Sequence, residues 1–140
     1  MVHDVIVVSE NGSGVEAALS AARHGAWVTL LERNTLAEFK EQRIEVINDC
    51  RVFRIAQDDE KYFGWWKPRT GDPLRLYLAV NASNFSEPFI AKAVIKAKTR
   101  TRPIIKPKEP ASVFYFNEGD DAESVGKAAA EYAWEEFKYE

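Results

Sequence analysis

The chain opens with a strand pattern, a helical pattern and a second strand pattern, separated by turns. Residues 5–8 read Val-Ile-Val-Val, a β-branched run that is typical of a strand buried on both faces, as in a parallel sheet. A polar turn leads to residues 14–24, whose apolar side chains recur at helical spacing. Gly25 follows, where a positive φ commonly ends a helix, and residues 27–31 form a second apolar run before Glu32. This order predicts a β-α-β unit with a right-handed crossover.

The turn between the first strand and the helix is a candidate nucleotide site of the Rossmann type. A helix N-terminus offers free N–H groups and partial positive charge to a pyrophosphate, and glycines let the backbone approach it. An acid at the end of the second strand accepts the ribose hydroxyls, and Glu32 follows Gly14 at close to the expected spacing. If Gly14 is the third fingerprint glycine, Ser9 and Asn11 occupy the first and second positions. Asn adopts positive φ more readily than Ser, and both side chains add bulk near the pyrophosphate.

The rest of the chain predicts a sheet that is only partly parallel. A short helical pattern covers residues 36–42. Three strand-like runs follow with only turn signals between them, which favours an antiparallel β-meander, at residues 44–56, 62–67 and 74–80. A strand or helix, a strand and a closing helix are expected at residues 89–98, 111–116 and 120–138. We therefore expect a single α/β domain over residues 1–140, with a Rossmann-like βαβ start, a partly parallel sheet and an antiparallel meander.

Composition argues against several function classes. A formal net charge of −3 gives no general attraction for nucleic acid or acidic membranes, and no apolar segment approaches the roughly 20 residues that span a bilayer. One cysteine and two histidines make a Cys or His metal cluster unexpected, and Cys50 is expected to pack rather than react. No nucleophile–base–acid arrangement is visible, so no catalytic residue is assigned. A cytoplasmic protein without a signal peptide is expected.

With these residues in view, the N-terminus resembles the FAD-dependent oxidoreductases of the fumarate reductase, succinate dehydrogenase and 3-ketosteroid dehydrogenase group. The resemblance is carried by DVIVV, SENGSG, VEAAL and AWVTLLER at residues 4–8, 9–14, 15–19 and 26–33. Later segments are similar in order to the family's meander (residues 43–58 and 63–64), to a strand end that is normally glycine-rich (VNASNF, 80–85) and to its closing helix (SVGKAAAEYA, 124–133).

The resemblance implies FAD binding, with the adenosine ribose on Glu32. In the family the closing helix points its N-terminus at the flavin, which here implies the backbone near Ser124 and Val125. The implied cofactor-binding residues are Ser9, Asn11, Gly12, Ser13, Gly14, Glu32, Arg33, Ser124 and Val125. The family's capping domain, with its substrate-binding arginines, has no room in 140 residues. We therefore expect a minimal or remnant FAD-binding domain that depends on a substrate domain or partner from elsewhere.

Two other interpretations stay open, and the sequence does not decide whether the chain is an enzyme. One is a flavoprotein-like scaffold or partner subunit without a cofactor, because Ser and Asn replace glycine in both glycine clusters. The other is an S-adenosylmethionine-binding methyltransferase-like domain, because ENGSG at residues 10–14 and Glu32 resemble that fold's E-x-G-x-G turn and ribose-binding acid. Crowded aromatic residues at 132–139 fit either a homo-oligomer contact or a frayed tail.

Overall fold

The structure is a computed structural model that describes residues 2–36, 41–57, 77–98, 103–106 and 112–137, without the side chains of 104–106 and 135–137. Ten elements follow in chain order: β1 (Val2–Ser9), α1 (Val15–Arg23), β2 (Val28–Glu32), β3 (Ile44–Ile47), β4 (Val52–Gln57), β5 (Leu78–Ala82), β6 (Phe89–Ala97), β7 (Ile104–Lys106), β8 (Val113–Phe116) and α2 (Ala122–Phe137). The predicted α/β class is confirmed.

The sheet has a parallel part and an antiparallel part that meet at β6. β3, β2, β1 and β6 lie side by side and all pair in parallel, and β8 continues this part by pairing in parallel with the second half of β6. The first half of β6 pairs antiparallel with β5, and β5 pairs antiparallel with β4. β7 then pairs in parallel with β4. Since β1 occupies one edge of β6, β5 and β8 share the other edge.

The two faces of the parallel strands are covered by different layers. Val5 and Val7 of β1 belong to a core shared with both helices, whereas Ile6 and Val8 belong to a core shared with β4 and β5. All four side chains are almost fully buried. This double burial explains the β-branched run in β1, because a strand between two apolar layers has no face left for polar residues.

The two helices approach each other closely through small residues. Ala17, Ala18 and Ala21 of α1 pack in the same core as Ala129 and Ala133 of α2. Gly126 of α2 lies against α1 where no side chain fits. A Cβ atom built on it would lie 2.4 Å from the Cβ of Ser20 and 2.7 Å from the carbonyl oxygen of Ala17. These small residues allow α2 to lie alongside α1.

Several predicted boundaries are corrected. The run at residues 44–56 is two strands rather than one, because Asp49 adopts a φ of 52° and the chain changes direction there. β3 therefore joins the parallel part, and the antiparallel meander consists of β4, β5 and β6.

Of the other predicted elements, residues 89–98 form a strand, which is β6. The ends of the helix predicted at 36–42 are not helical, and residue Glu41 instead forms an isolated bridge with Ile44. Residues 37–40, 62–67 and 74–76 lie outside the described residues.

Candidate functional site

The candidate site is the β1–α1 turn (residues 10–14), at the carboxyl-terminal edge of the parallel strands. Ser9 ends β1, and Gly14 caps α1 without a side-chain hydrogen bond to the helix. Asn11 and Gly12 adopt φ values of 53° and 77°, in the left-handed region. The prediction that Asn11 can take a glycine-like conformation is confirmed, since Asn tolerates this region better than most residues. The backbone therefore keeps a glycine-type conformation at position 11 although Asn stands there.

Position 14 requires a glycine because the backbone there lies very close to β1. A Cβ atom built on Gly14 would lie 2.6 Å from Cγ1 of Val7 and 3.0 Å from the Cβ of Ser9. Contacts this short would force α1 away from β1. Gly14 thus performs the role of the third glycine in a dinucleotide-binding fingerprint, which is to let the helix pack tightly on the strand.

Glu32 ends β2 and points its side chain into the turn. The residue has 0% of its surface exposed. Its Oε1 accepts hydrogen bonds from the Ser9 hydroxyl and the Gly12 N–H, both at 2.9 Å. Its Oε2 accepts from the N–H groups of Asn11 at 2.9 Å and Asn34 at 2.8 Å. We call these four groups, the Ser9 hydroxyl and the N–H groups of Asn11, Gly12 and Asn34, the donor cluster.

Ser9 is a connector between the strand, the helix and the carboxylate. Its Oγ accepts the Gly14 N–H at 2.9 Å while donating to Glu32. The residue is 1% exposed. The sequence suggested that Ser9 adds bulk where a pyrophosphate should approach. In the structure its side chain is buried and forms hydrogen bonds with Glu32 and Gly14.

The other predicted residues of this group complete the turn and its border. The Ser13 N–H donates to the carbonyl oxygen of Glu10 at 3.0 Å, and the Ser13 hydroxyl accepts the Glu10 N–H at 3.1 Å. The Arg33 N–H donates to the carbonyl oxygen of Ser9 at 2.9 Å, and its guanidinium lies 3.9 Å from the Glu10 carboxylate. The structure therefore brings seven of the nine predicted residues together, namely Ser9, Asn11, Gly12, Ser13, Gly14, Glu32 and Arg33.

Ser124 and Val125 make their hydrogen bonds elsewhere. Both lie in the first turn of α2, where the Ser124 hydroxyl donates to the Asp121 carboxylate at 2.7 Å and the Val125 N–H to the Asp121 carbonyl at 3.1 Å. The neighbouring Glu123 contacts Arg23 at the far end of α1. Within the described residues, both of these hydrogen bonds end on Asp121 and neither reaches the β1–α1 turn.

Asn34 is a residue of the site that the sequence interpretation missed. Besides its N–H bond to Glu32, its Oδ1 accepts the Asn11 N–H at 3.0 Å. Its Asn identity two positions after a strand-ending acid is a usable signal, because Asn side chains commonly bond to nearby backbone in turns.

The side chain of Cys50 belongs to the core that β1 shares with β4 and β5. Cys50 is buried, and burial raises the pKa of its thiol to about 11, which agrees with a packing role. Over the described ranges, no group of three His, Cys, Asp or Glu side chains is placed to hold a metal ion. No helix in the described part of the chain is long and apolar enough to cross a membrane.

The turn shares several features with dinucleotide-binding turns, and its polar groups are bonded to one another. These features are the helix N-terminus, the left-handed turn, the tightly packed Gly14 and the acid at the end of β2. However, the carboxylate that would accept ribose hydroxyls already accepts four hydrogen bonds, and two of these come from N–H groups of the turn. Any ligand group that bonds to this carboxylate has to replace one of these donors.

Comparison with known proteins shows a weak likeness to solved structures. No protein-family model matches the chain, and no curated protein matches it. Among solved structures, it is similar to the bacillithiol disulfide reductase Bdr (YpdA) from Bacillus cereus, with 15% sequence identity and a TM-score of 0.44. The match covers 69% of this chain and 40% of the reductase, so the chain spans well under half of that protein. A likeness at this level concerns the fold and says nothing about the ligand.

Proposed function

We propose that this chain is a flavoprotein-type dinucleotide-binding domain that holds the adenosine-diphosphate half of FAD at the β1–α1 turn. The observation that supports this most is the position of Glu32: a carboxylate at the end of β2 that reaches the N–H groups of the turn. A carboxylate beside such N–H groups supports the proposal, because dinucleotide recognition requires a ribose acceptor next to the pyrophosphate donors.

Binding is proposed to work by exchange of hydrogen bonds at Glu32. A carboxylate accepts about four hydrogen bonds, and the donor cluster already supplies four. Ribose hydroxyls can bond to Glu32 only by replacing some of these donors. The N–H groups of Asn11 and Gly12 released in this way lie at the N-terminal side of α1, where a phosphate is favoured.

The proposed domain supplies binding rather than substrate chemistry. FAD, when bound, supplies the electron-transfer chemistry. The two carboxylates at the turn are engaged, Glu32 by the donor cluster and Glu10 with the Arg33 guanidinium at 3.9 Å, and both histidines are engaged elsewhere. His3 is hydrogen-bonded to Thr29 at 2.6 Å, and His24 to Glu123 at 2.7 Å. A substrate domain or partner chain is therefore proposed to complete any redox reaction of the fumarate reductase type.

A second candidate function, a scaffold or partner subunit that holds no nucleotide, is favoured by the saturation of Glu32. The donor cluster leaves the carboxylate with no free acceptor position and no exposed surface. If replacing the hydrogen-bond donors of Glu32 costs more free energy than the contacts with a nucleotide supply, the domain folds but binds no nucleotide.

Titration of the purified protein with FAD, followed by flavin fluorescence, separates these candidates. Saturable quenching that ADP competes away is expected, and Glu32→Gln should weaken FAD binding about tenfold or more because it removes a charged acceptor. Glu16→Gln, an exposed position in the first turn of α1, is the matched control and should bind as the wild type does. Indifference to FAD would overturn the proposal in favour of the scaffold, and binding of S-adenosylmethionine alone would favour the methyltransferase-like interpretation.

A further inference from the structure

The donor cluster joins three segments of the chain at one buried carboxylate. The Ser9 hydroxyl comes from the end of β1, the N–H groups of Asn11 and Gly12 from the turn, and the Asn34 N–H from the segment after β2. The three N–H groups donate at 2.8–2.9 Å and the Ser9 hydroxyl at 2.9 Å, all short enough to be well-formed hydrogen bonds. Successive backbone N–H groups that point into one concavity form an anion-binding nest.

A partly buried nest of this kind favours an acceptor. N–H groups with reduced access to water carry a free-energy cost when they have no partner, and the positive end of α1 favours a negative charge nearby. In nucleotide-binding proteins an external phosphate satisfies such groups. In this chain the fully buried Glu32 carboxylate satisfies them from within.

We infer that Glu32 is a built-in anionic ligand that holds the β1–α1 turn in shape when no nucleotide is present. The donor cluster is accordingly an oxyanion site, and it accepts a small external carboxylate once the Glu32 side chain is shortened. This goes beyond FAD binding and does not depend on it. Glu32 acts here as a positioning residue for the turn, and any external phosphate competes with it for the same N–H groups.

Two further contacts keep the carboxylate in register with the turn. The Arg33 N–H donates to the Ser9 carbonyl oxygen at 2.9 Å, and the Cys50 N–H donates to the Glu32 carbonyl oxygen at 2.9 Å. The peptide group between Glu32 and Arg33 is thus held by β1 through its N–H and by Cys50 through its carbonyl, independently of the Glu32 side chain. Shortening the side chain should therefore leave a vacated site rather than a rearranged strand end.

Chemical rescue of Glu32→Ala, in samples free of FAD, tests this inference. The thermal midpoint of the variant should fall by at least about 5 °C relative to wild type, because buried donors lose their acceptor. Sodium formate should restore at least half of the loss in a saturable manner, and sodium chloride at the same ionic strength should not. Glu16→Ala is the matched control for a lost carboxylate near the same helix start, and formate should not stabilise it or the wild type more than chloride does.

An unchanged midpoint in Glu32→Ala, or equal stabilisation of all three proteins by formate, would overturn the inference. If Glu32→Ala does not fold, amide hydrogen exchange of the ligand-free wild type tests the same point. The amides of Asn11 and Gly12 should exchange at least about tenfold more slowly than in an unstructured peptide. Exchange at the unstructured rate would contradict an internal ligand. No sample in these two experiments contains FAD. A negative result for the internal ligand is therefore separate from a negative result for FAD binding.

Discussion

Ser9 and Glu32 are joined by a buried hydrogen bond of 2.9 Å between the Ser9 hydroxyl and the Glu32 carboxylate. The two residues end neighbouring parallel strands, β1 and β2, and are aligned with each other in the strand register. Because the Ser9 oxygen also accepts the Gly14 N–H, this one side chain connects the start of α1 to the acid at the end of β2. A serine in the first glycine position is therefore part of the turn's internal bonding.

Replacing Ser9 with alanine should lower the free energy of unfolding by about 1–3 kcal/mol, because the buried Gly14 N–H loses its acceptor and Oε1 of Glu32 loses one of its two donors. Urea denaturation followed by tryptophan fluorescence measures the loss. Ser13→Ala is the matched control, since its hydroxyl accepts only the Glu10 N–H at the less buried outer side of the turn. Equal losses in the two variants would contradict the connecting role of Ser9.

Asn11 should tolerate glycine but not alanine. Its φ of 53° is accessible to Asn and Gly, whereas an ordinary side chain pays about 1 kcal/mol or more in this region. Asn11→Ala should therefore lower the free energy of unfolding by about 1 kcal/mol, and Asn11→Gly should leave it unchanged or slightly raised. The comparison uses the same urea denaturation. Identical losses in both variants would show that the Asn side chain, rather than the backbone conformation, is what matters.

Gly126→Ala should destabilise the protein although alanine is the better helix former. In an exposed helix interior this change gains about 1 kcal/mol, but here the new Cβ meets Ser20 at 2.4 Å and the Ala17 carbonyl oxygen at 2.7 Å. We expect a net loss of about 1–3 kcal/mol from overpacking, measured by thermal denaturation. Ala128→Gly, at an exposed position of α2, is the control for helix propensity alone and should lose about 1 kcal/mol. A stabilised Gly126→Ala protein would contradict the close approach of the helices.

Glu123 should make the stability of the protein depend on acid pH. The hydrogen bond from the Arg23 guanidinium, followed by that to His24, lowers the pKa of Glu123 from 4.5 to about 2. Since the pKa is lower in the folded state, the contribution of Glu123 is fully present above pH 4.5 and is lost as the pH falls towards 2. The difference in thermal midpoint between wild type and Glu123→Gln should shrink across this interval. A difference that stays constant from pH 6 to pH 2 would contradict the pairing.

The parts of the fold that were predicted correctly from the sequence are those that local patterns determine. The run in β1, the Gly25 stop and Glu32 at the end of β2 each depend on neighbours within a few residues, and the structure confirms the β-α-β unit they predict. The division of residues 44–56 was missed. The division depends on the left-handed conformation of Asp49 and on the pairing of β3 with β2 and of β4 with β5. A pattern of apolar residues in the sequence does not contain this information.

The composition of the site was predicted better than its bonding. Ser9, Gly14 and Glu32 were placed together correctly because the fingerprint spacing is local. That Glu32 would be saturated by the donor cluster could not be predicted, because the orientation of its side chain depends on contacts across the end of the sheet. The resemblance also implied Ser124 and Val125, whose hydrogen bonds remain within the start of α2.

The most direct test of the central claim is a titration of the ¹⁵N-labelled protein with FAD, followed by amide chemical shifts. Binding at the β1–α1 turn should shift the amides of Asn11 and Gly12 saturably, because they exchange Glu32 for the pyrophosphate. The amide of Gly25, at the far end of α1, should stay unchanged. No saturable shift at Asn11 and Gly12, or shifts confined to residues outside the turn, would contradict a dinucleotide site there.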